Sequence, residues 1–398
     1  MRLALALLLV STVVSAQRRV VFPAGAKPVG PYSPGIFAGD FLYVSGQGAR
    51  LPDGKFPATP EEQVRQCLEN VKSIIDAAGL TMEHIVYTQA YLHTSVSYDQ
   101  LNAVWRQYFP KNPPARATLG VYRMPTETPV EISAVAVRDL GLKKAVNPPG
   151  TPAHAAIAYG MMAGERFYFS GMIGWDPATG KIPESPAAQV QLALDRVKAI
   201  LAAAGLDFRH VVFVNPYLTR RLPMNVMNQV YAKHFEFGNT PARATIAVNH
   251  LPHDGNIEFT GVAVKDLSKR LAVRPKNMSP SATASPCVWA DDTLYCSAKS
   301  GFLTGVNGGI YADNVEDQVR MSMRNLLDGL EEAGIDFSHV VASNVYVDNL
   351  DEFAKMNAIY GKYFPANAPP TRTTVSPLPP VERVRSASGH FPKLEEVS

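Results

Sequence analysis

Three consecutive α+β units, each gathering two helices on one face of a sheet, are what this sequence predicts. The first observation is a phrase written three times. "PPARATLGVYRMP" ends at Pro125, "TPARATIAVNHLP" ends at Pro252, and "PPTRTTVSPLPP" lies near the end of the chain. Their arginines, Arg116, Arg243 and Arg372, fall 127 and 129 residues apart, and a phrase returning at an even interval is the mark of a repeated domain. The second observation is a helical pattern on the same beat, opened by Gln63, Gln189 and Gln318 in "EEQVRQCLENVKSIIDAAGL", "AAQVQLALDRVKAILAAAGL" and "EDQVRMSMRNLLDGLEEAGI". Apolar residues step by three and four, and a glycine suited to a helix C-cap ends each run. The third is an alternating strand pattern after each helix: "HIVYTQAYL", "HVVFVNPYL" and "HVVASNVYV".

A second helix follows in each copy, carrying Asn102, Asn228 or Asn357; then come the arginine phrase, a turn containing proline, and a last strand. Each copy therefore reads strand–strand–helix–strand–helix–strand–strand over roughly 110 residues, an order that places the helices on one side of a sheet. Breaks fall at "KKAVNPPGTPAH" and "SKRLAVRPKNMSPSATASP", giving repeats at 17–142, 148–267 and 275–398. These breaks are long enough, at ~3.3 Å per extended residue, for the copies to lie side by side.

Composition is that of a globular protein, with 46% hydrophobic and 18% charged residues. A net charge of +3 and the lack of a long basic run give nucleic acid no evident footing. The opening "MRLALALLLVSTVVSAQRR" sets Arg2 before an apolar stretch and small residues at 14–16. That is the pattern of a secretory signal spanning 1–16, cleaved before Gln17; the run is short of the ~20 residues of a membrane anchor. A periplasmic or secreted protein with no membrane attachment after cleavage is the expectation. Cys67 lies on the apolar side of its helix. Cys287 and Cys296 bracket "VWADDTLY"; a two-residue turn at Asp291-Asp292 would set them opposite each other, so they are either a disulfide or two free buried thiols.

In the arginine phrase, Arg116 and Thr118 share one strand face, and a hairpin centred on Met124-Pro125 would set Thr118 opposite Glu131. Thr245 and Glu258 repeat the relation beside Arg243. A guanidinium grips a carboxylate through two parallel hydrogen bonds, a glutamate takes a proton from water, and a threonine hydroxyl holds that water. Such a trio suits a small acid whose neighbouring carbon is already electrophilic, as in an imino acid, with no metal or cofactor. A plain cross-strand ion pair is the other reading of the same spacing.

With "PARATLGVYRMPTETPVEI", "PARATIAVNHLPHDGNIEF" and "GPYSPGIFAGDFLYVSGQ", the chain resembles the RidA (YjgF-like) family of reactive-intermediate, enamine/imine deaminases, copied three times in tandem. The resemblance implies a chorismate-mutase-like α+β fold, trimers with clefts between subunits, and hydrolysis of 2-imino or 2-enamino acids to 2-keto acids and ammonia. It implies a carboxylate-binding role for Arg116, a water-positioning role for Glu131, and a cleft lined by Tyr32, Ser45, Gly46 and Asn102. The second copy keeps Ser170, Gly171, Asn228, Arg243, Thr245 and Glu258, with Ile157 in the tyrosine's place. The third keeps Ser297, Asn357, Arg372 and Thr374, with Ala284 and Ala298 for the tyrosine and glycine and Arg383 or Arg385 pointing to the glutamate's place. The third copy is expected to be structural or binding only. Thr118 stands where the best-known deaminases carry cysteine. One chain would then close the family's ring on itself as an intramolecular pseudo-trimer, a monomer whose partner is a small carboxylate. The alternative is a non-catalytic carboxylate-binding or interaction protein of the same fold. "HLPH" at 250–253 reads as a turn rather than a metal site, and "GVNGG" as a loop.

Overall fold

The computed structural model describes residues 6–13, 18–26, 28–303 and 309–380. Strand β1 (Ala6–Val13) precedes the first repeat, which comprises β2 (Arg19–Val21), β3 (Gly35–Ala38), β4 (Phe41–Gly48), α1 (Pro60–Ala77), β5 (Ile85–Leu92), α2 (Tyr98–Tyr108), β6 (Ala115–Gly120) and β7 (Val130–Val137). The second repeat follows with β8 (Lys143–Val146), β9 (Gly160–Ala163), β10 (Arg166–Ile173), α3 (Pro186–Ala203), β11 (Val211–Leu218), α4 (Met224–Tyr231), β12 (Ala242–Arg243), β13 (Ile246–Ala247) and β14 (Ile257–Val264). The third has β15 (Arg270–Val273), β16 (Cys287–Ala290), β17 (Thr293–Cys296), β18 (Lys299–Ser300), β19 (Phe302–Leu303), β20 (Ile310–Tyr311), α5 (Val315–Glu332), β21 (Val340–Tyr346), α6 (Phe353–Tyr360) and β22 (Thr371–Val375). The segments between repeats are not bare linkers, because β8 and β15 add an edge strand to the sheet that follows.

The long helices form where local chemistry tells them to. Thr59, Ser185 and Asn314 cap α1, α3 and α5 by accepting from the third residue's N–H, which satisfies donors the helix leaves orphaned. Gly79, Gly205 and Gly334 end them at φ of 79°, 74° and 76°, the left-handed turn that favours glycine. The apolar face of each helix pair then packs on its own sheet. Val64, Leu68, Val71 and Ile75 of α1 meet Leu42, Ile132 and Ala134 in one core, and α3 and α5 build the equivalent cores in their repeats. Burying one such side chain stabilises by roughly 1.5–3 kcal/mol.

The opposite faces of the three sheets meet one another in a shared core that draws Tyr43, Tyr91 and Leu119 from repeat 1, Tyr168, Tyr217 and Ile246 from repeat 2, and Tyr295, Tyr346 and Val375 from repeat 3. There Tyr91 Oη lies 3.5 Å from Tyr346 Oη, and Tyr217 Oη donates to Gln89 Oε1 at 3.2 Å. Such contacts are compatible with the closed ring expected from the sequence. Sheets buried on both faces account for strands that are apolar at nearly every position, as β11 is.

Strand order corrects one expectation. The first sheet runs β2-β3-β4-β7-β5-β6 and the second pairs β14 with both β10 and β11. The strand after the arginine phrase does not fold back on it as a hairpin. Thr118 faces Ala90 and Glu131 faces Tyr91 and Gly48, so β5 separates them. The physical reason is hydrogen bonding: inserted between two strands, β7 satisfies both edges of a buried backbone, whereas a hairpin would satisfy one. In the third sheet that central place, between β17 and β21, is taken by β1. Its register matches, since Ala6 pairs with Tyr346 and Ser300 as Glu131 pairs with Tyr91 and Gly48. The expected arginines at 383 and 385 lie outside the described residues, as do the small residues at the proposed cleavage point.

The hairpin of Cys287 and Cys296 has the register expected of it, with Asp291 at the turn in a left-handed conformation (φ 56°). The two cysteines form a disulfide across it, with Cα atoms 4.0 Å apart. Gly329 of α5 makes room for the sulfur, since a β-carbon there would press on Cys287 Sγ. Cys67 is buried and free.

Candidate active site

Each arginine is held by the next repeat around the ring. The backbone N–H of Arg116 donates to Ser170 Oγ at 2.8 Å, that of Arg243 to Ser297 Oγ at 2.8 Å, and that of Arg372 to Ser45 Oγ at 2.9 Å. Each serine passes its own proton back to a carbonyl of its repeat, Ala158, Ser285 or Ser33, at 2.6 Å. Ser45 and Ser170, expected to line the cleft, are thus positioning residues whose hydroxyls are committed to backbone on both sides. Repeat 1 leans on 2, 2 on 3, and 3 on 1.

The guanidinium is aimed by the second helix of its own repeat. Arg116 Nη2 donates to Asn102 Oδ1 at 2.6 Å and its head group lies 4.6 Å from the Trp105 ring. Arg243 Nη1 donates to Asn228 Oδ1 at 2.8 Å over Tyr231, and Arg372 lies 4.9 Å from the Tyr360 ring. The aromatic stands three residues after the asparagine each time, on the same helix face. That recurring "NxxW/Y" was the signal that could have identified Trp105, Tyr231 and Tyr360 as guanidinium seats.

The glutamate arrives from the neighbouring repeat. Glu258 of repeat 2 faces Arg116 of repeat 1, and Glu131 of repeat 1 faces Arg372 of repeat 3. Arg116 and Glu131 therefore serve different clefts, and the expectation of one site built around both is overturned by the strand order. Arg372 belongs to a complete cleft rather than to an idle copy. Both carboxyls are buried, and burial pushes each up to about 8 against the pull of Arg372 and the Thr374 backbone on Glu131 and of Arg116 and Arg196 on Glu258. Burial likewise lowers Arg116 to about 9 and depresses Arg372 and Arg243. Polar atoms are left without partners in both clefts: Arg116 Nη1 and Glu258 Oε1 in one, Arg372 Nη1, Asn357 Oδ1 and Thr374 Oγ1 in the other. Buried polar atoms are ordinarily paired, and these remain able to bond a polar ligand.

Glycine at positions 46 and 171 has a stated cause. A β-carbon on Gly46 would collide with Glu131 Oε1, and one on Gly171 with Glu258 Oε1. The cleft of Arg372 and Glu131 forms a cavity of about 190 Å³, to which Tyr32, Gln47 and Thr374 also contribute. Tyr32 lies 5.5 Å from the Arg372 head group. In the cleft of Arg116 and Glu258, His154 stands near the guanidinium, with burial and then Arg116 holding its pKa below the ordinary value; nothing in the sequence pattern singled it out. Arg243 and Thr245, expected to act with Glu258, instead face Ser297, Ala298 and Lys299 across a cavity of about 350 Å³. Among the described residues no cluster of three or more His, Cys, Asp or Glu side chains could hold a metal ion.

Three α+β repeats with arginine–glutamate clefts between them define a class, and comparison with known proteins agrees. The family described as endoribonuclease L-PSP matches residues 24–138, 151–265 and 275–381. The chain belongs to this family, the RidA/YjgF family, as three tandem copies. A RutC family protein of Saccharolobus solfataricus is 35% identical over 130 residues, covering 30% of this chain and 97% of its own. TdcF of Escherichia coli K12, named as a candidate reactive intermediate deaminase, is 35% identical over 114 residues, covering 28% of this chain and 88% of its own. The crystal structure of E. coli TdcF with bound serine is 32% identical and covers 30% of this chain and 99% of that chain, with a TM-score of 0.29.

Proposed function

We propose that the chain hydrolyses small 2-imino and 2-enamino acids to 2-keto acids and ammonia in two of its three clefts. The observation that carries this reading is the pairing, twice, of a buried guanidinium from one repeat with a buried carboxyl from the next, each with unpartnered atoms. The similarity to a protein named as a candidate reactive intermediate deaminase supports it. Arg116 or Arg372 takes the substrate carboxylate through its free Nη1. Glu258 or Glu131, once ionised, accepts a proton from water. The water oxygen bonds to the imine carbon as the C=N π pair moves to nitrogen, which takes the proton back from the carboxyl. The carbinolamine hydroxyl then passes its proton through the same carboxylate to nitrogen, and as C=O forms the C–N bond breaks to release ammonia and leave the keto acid. An iminium cation beside the carboxylate favours its ionised form, so a zwitterionic substrate satisfies both ends of the cleft.

Ammonia release from imino acids generated by an amino-acid oxidase tests the reading. Arg116→Ala together with Arg372→Ala should abolish it, and unchanged release would discard the assignment. Thr118 and Thr374, in the place of the cysteine of the best-known deaminases, favour a second reading: a carboxylate-binding protein without turnover. Ligand-induced thermal stabilisation with no ammonia formed would select that reading.

The proposal extends to a monomeric ring exported from the cytoplasm. Light scattering should give the mass of one chain. Cleavage before Gln17 would remove β1 (Ala6–Val13) from the centre of the third sheet, so amino-terminal sequencing of the exported protein, starting at Gln17 or ahead of β1, shows whether export removes or keeps that strand. Neither carboxylate-bearing cleft takes a named residue from β1.

A further inference from the structure

The cleft between repeats 2 and 3 keeps the guanidinium and shows no carboxyl among the described residues that line it. Its glutamate place falls at Ala6 by register, and Ala298 stands where the other repeats need glycine, since no carboxylate presses on it. A second change accompanies the first. Position 299, which is Gln47 in repeat 1 and Met172 in repeat 2, is lysine. Lys299, Arg243, Thr245 and Arg274 line one cavity of about 350 Å³, larger than the 190 Å³ of the cleft of Arg372 and Glu131. Lys299 is half-buried and its ammonium has no hydrogen-bond partner among the described residues; burial lowers its pKa, and the charge of Asp328 opposes that only in part. Thr245 Oγ1 is buried and unpartnered as well. One cation facing one carboxyl has become two cations in a cavity with no carboxyl among its described lining residues, with a third, Arg274, exposed beside them. Half-buried charge without a counter-ion is costly and favours an anion.

We propose that this third cleft is a non-hydrolytic binding site for a small dicarboxylate, one acid group on Arg243 and the other on Lys299. The extra length of the cavity takes the second acid group, and with no carboxyl to activate water the bound molecule is not hydrolysed.

Calorimetric titration with succinate, butyrate and inorganic phosphate tests it, on the full chain carrying Arg116→Ala and Arg372→Ala to silence the other clefts. Succinate should bind at one equivalent per chain and at least about tenfold tighter than butyrate or phosphate, and Lys299→Gln should erase that preference. No saturable succinate binding, an affinity unaffected by Lys299→Gln, or phosphate binding more tightly than succinate would each overturn the proposal. A circular-dichroism melt checks that each variant folds. Should the double background not fold, the succinate-to-butyrate ratio in the otherwise unaltered chain, with and without Lys299→Gln, reads the same effect. Ammonia release enters none of these measurements, so failure here leaves the deaminase reading standing, and the reverse.

Discussion

The cleft that joins repeats 3 and 1 and the cleft that joins repeats 2 and 3 began from the same parts and diverged in opposite directions. The first holds Arg372, Thr374, Tyr32 and Glu131 around a carboxyl that demands glycine at 46. The second holds Arg243 and Thr245 with Ala298 and Lys299 and has no carboxyl among the described residues that line it. Fusion makes this possible. In a trimer of identical chains every change appears three times, whereas here each cleft is its own. The shared core teaches the same lesson: Phe41, Arg166 and Thr293 open the equivalent strands β4, β10 and β17. The buried Arg166 lies 3.9 Å from the Phe41 ring and bonds Tyr43 Oη at 2.8 Å and Asp292 at 2.7 Å. Three arginines meeting in one core would repel without counter-ions; one, with different neighbours, is satisfied.

The largest expected effect separates the clefts by their arginines. Arg116→Ala with Arg372→Ala should lower kcat/KM at least about a hundredfold, while each single variant retains the activity of the other cleft, which steady-state ammonia release would show. Next, Gly46→Ala and Gly171→Ala should each force a carboxylate out of place, costing about 1–3 kcal/mol of stability by denaturant titration and the activity of that cleft. Ala298→Gly, where no carboxylate crowds the backbone, should cost no more than about 1 kcal/mol. A similar penalty at 298 and 46 would break the comparison.

The carboxyls give a pH signature. With Glu131 and Glu258 at about 8 in the free protein, kcat/KM should climb about tenfold per pH unit toward 8 and then level. Stability runs the other way. A carboxyl raised from 4.5 by folding contributes fully below 4.5, and that contribution is lost as pH rises to about 8. Glu131→Gln with Glu258→Gln should flatten both profiles. The disulfide sits apart from this comparison: Cys287→Ser with Cys296→Ser should cost about 2–3 kcal/mol in a thermal melt, with mass spectrometry showing one bridge and Cys67 as the free thiol.

Much of this molecule was legible in the chain of letters. The three repeats show in the even spacing of one phrase, while the glycine stops and the Cys287–Cys296 register are local matters, written in residues a few positions apart, where hydrogen bonding and backbone conformation decide. So was the membership of Arg116, Asn102, Glu131 and Gly46 in some cleft. Which arginine meets which glutamate was not, because a hairpin and a strand inserted one place further along have the same alternation of residues. Only the shared core, where three sheets must each satisfy both backbone edges and bury both faces, put β5 between the two and handed each glutamate to the neighbouring repeat's arginine. The sequence by itself determined what the cleft is made of; tertiary structure decided whose cleft it is, since that depends on contacts more than a hundred residues apart.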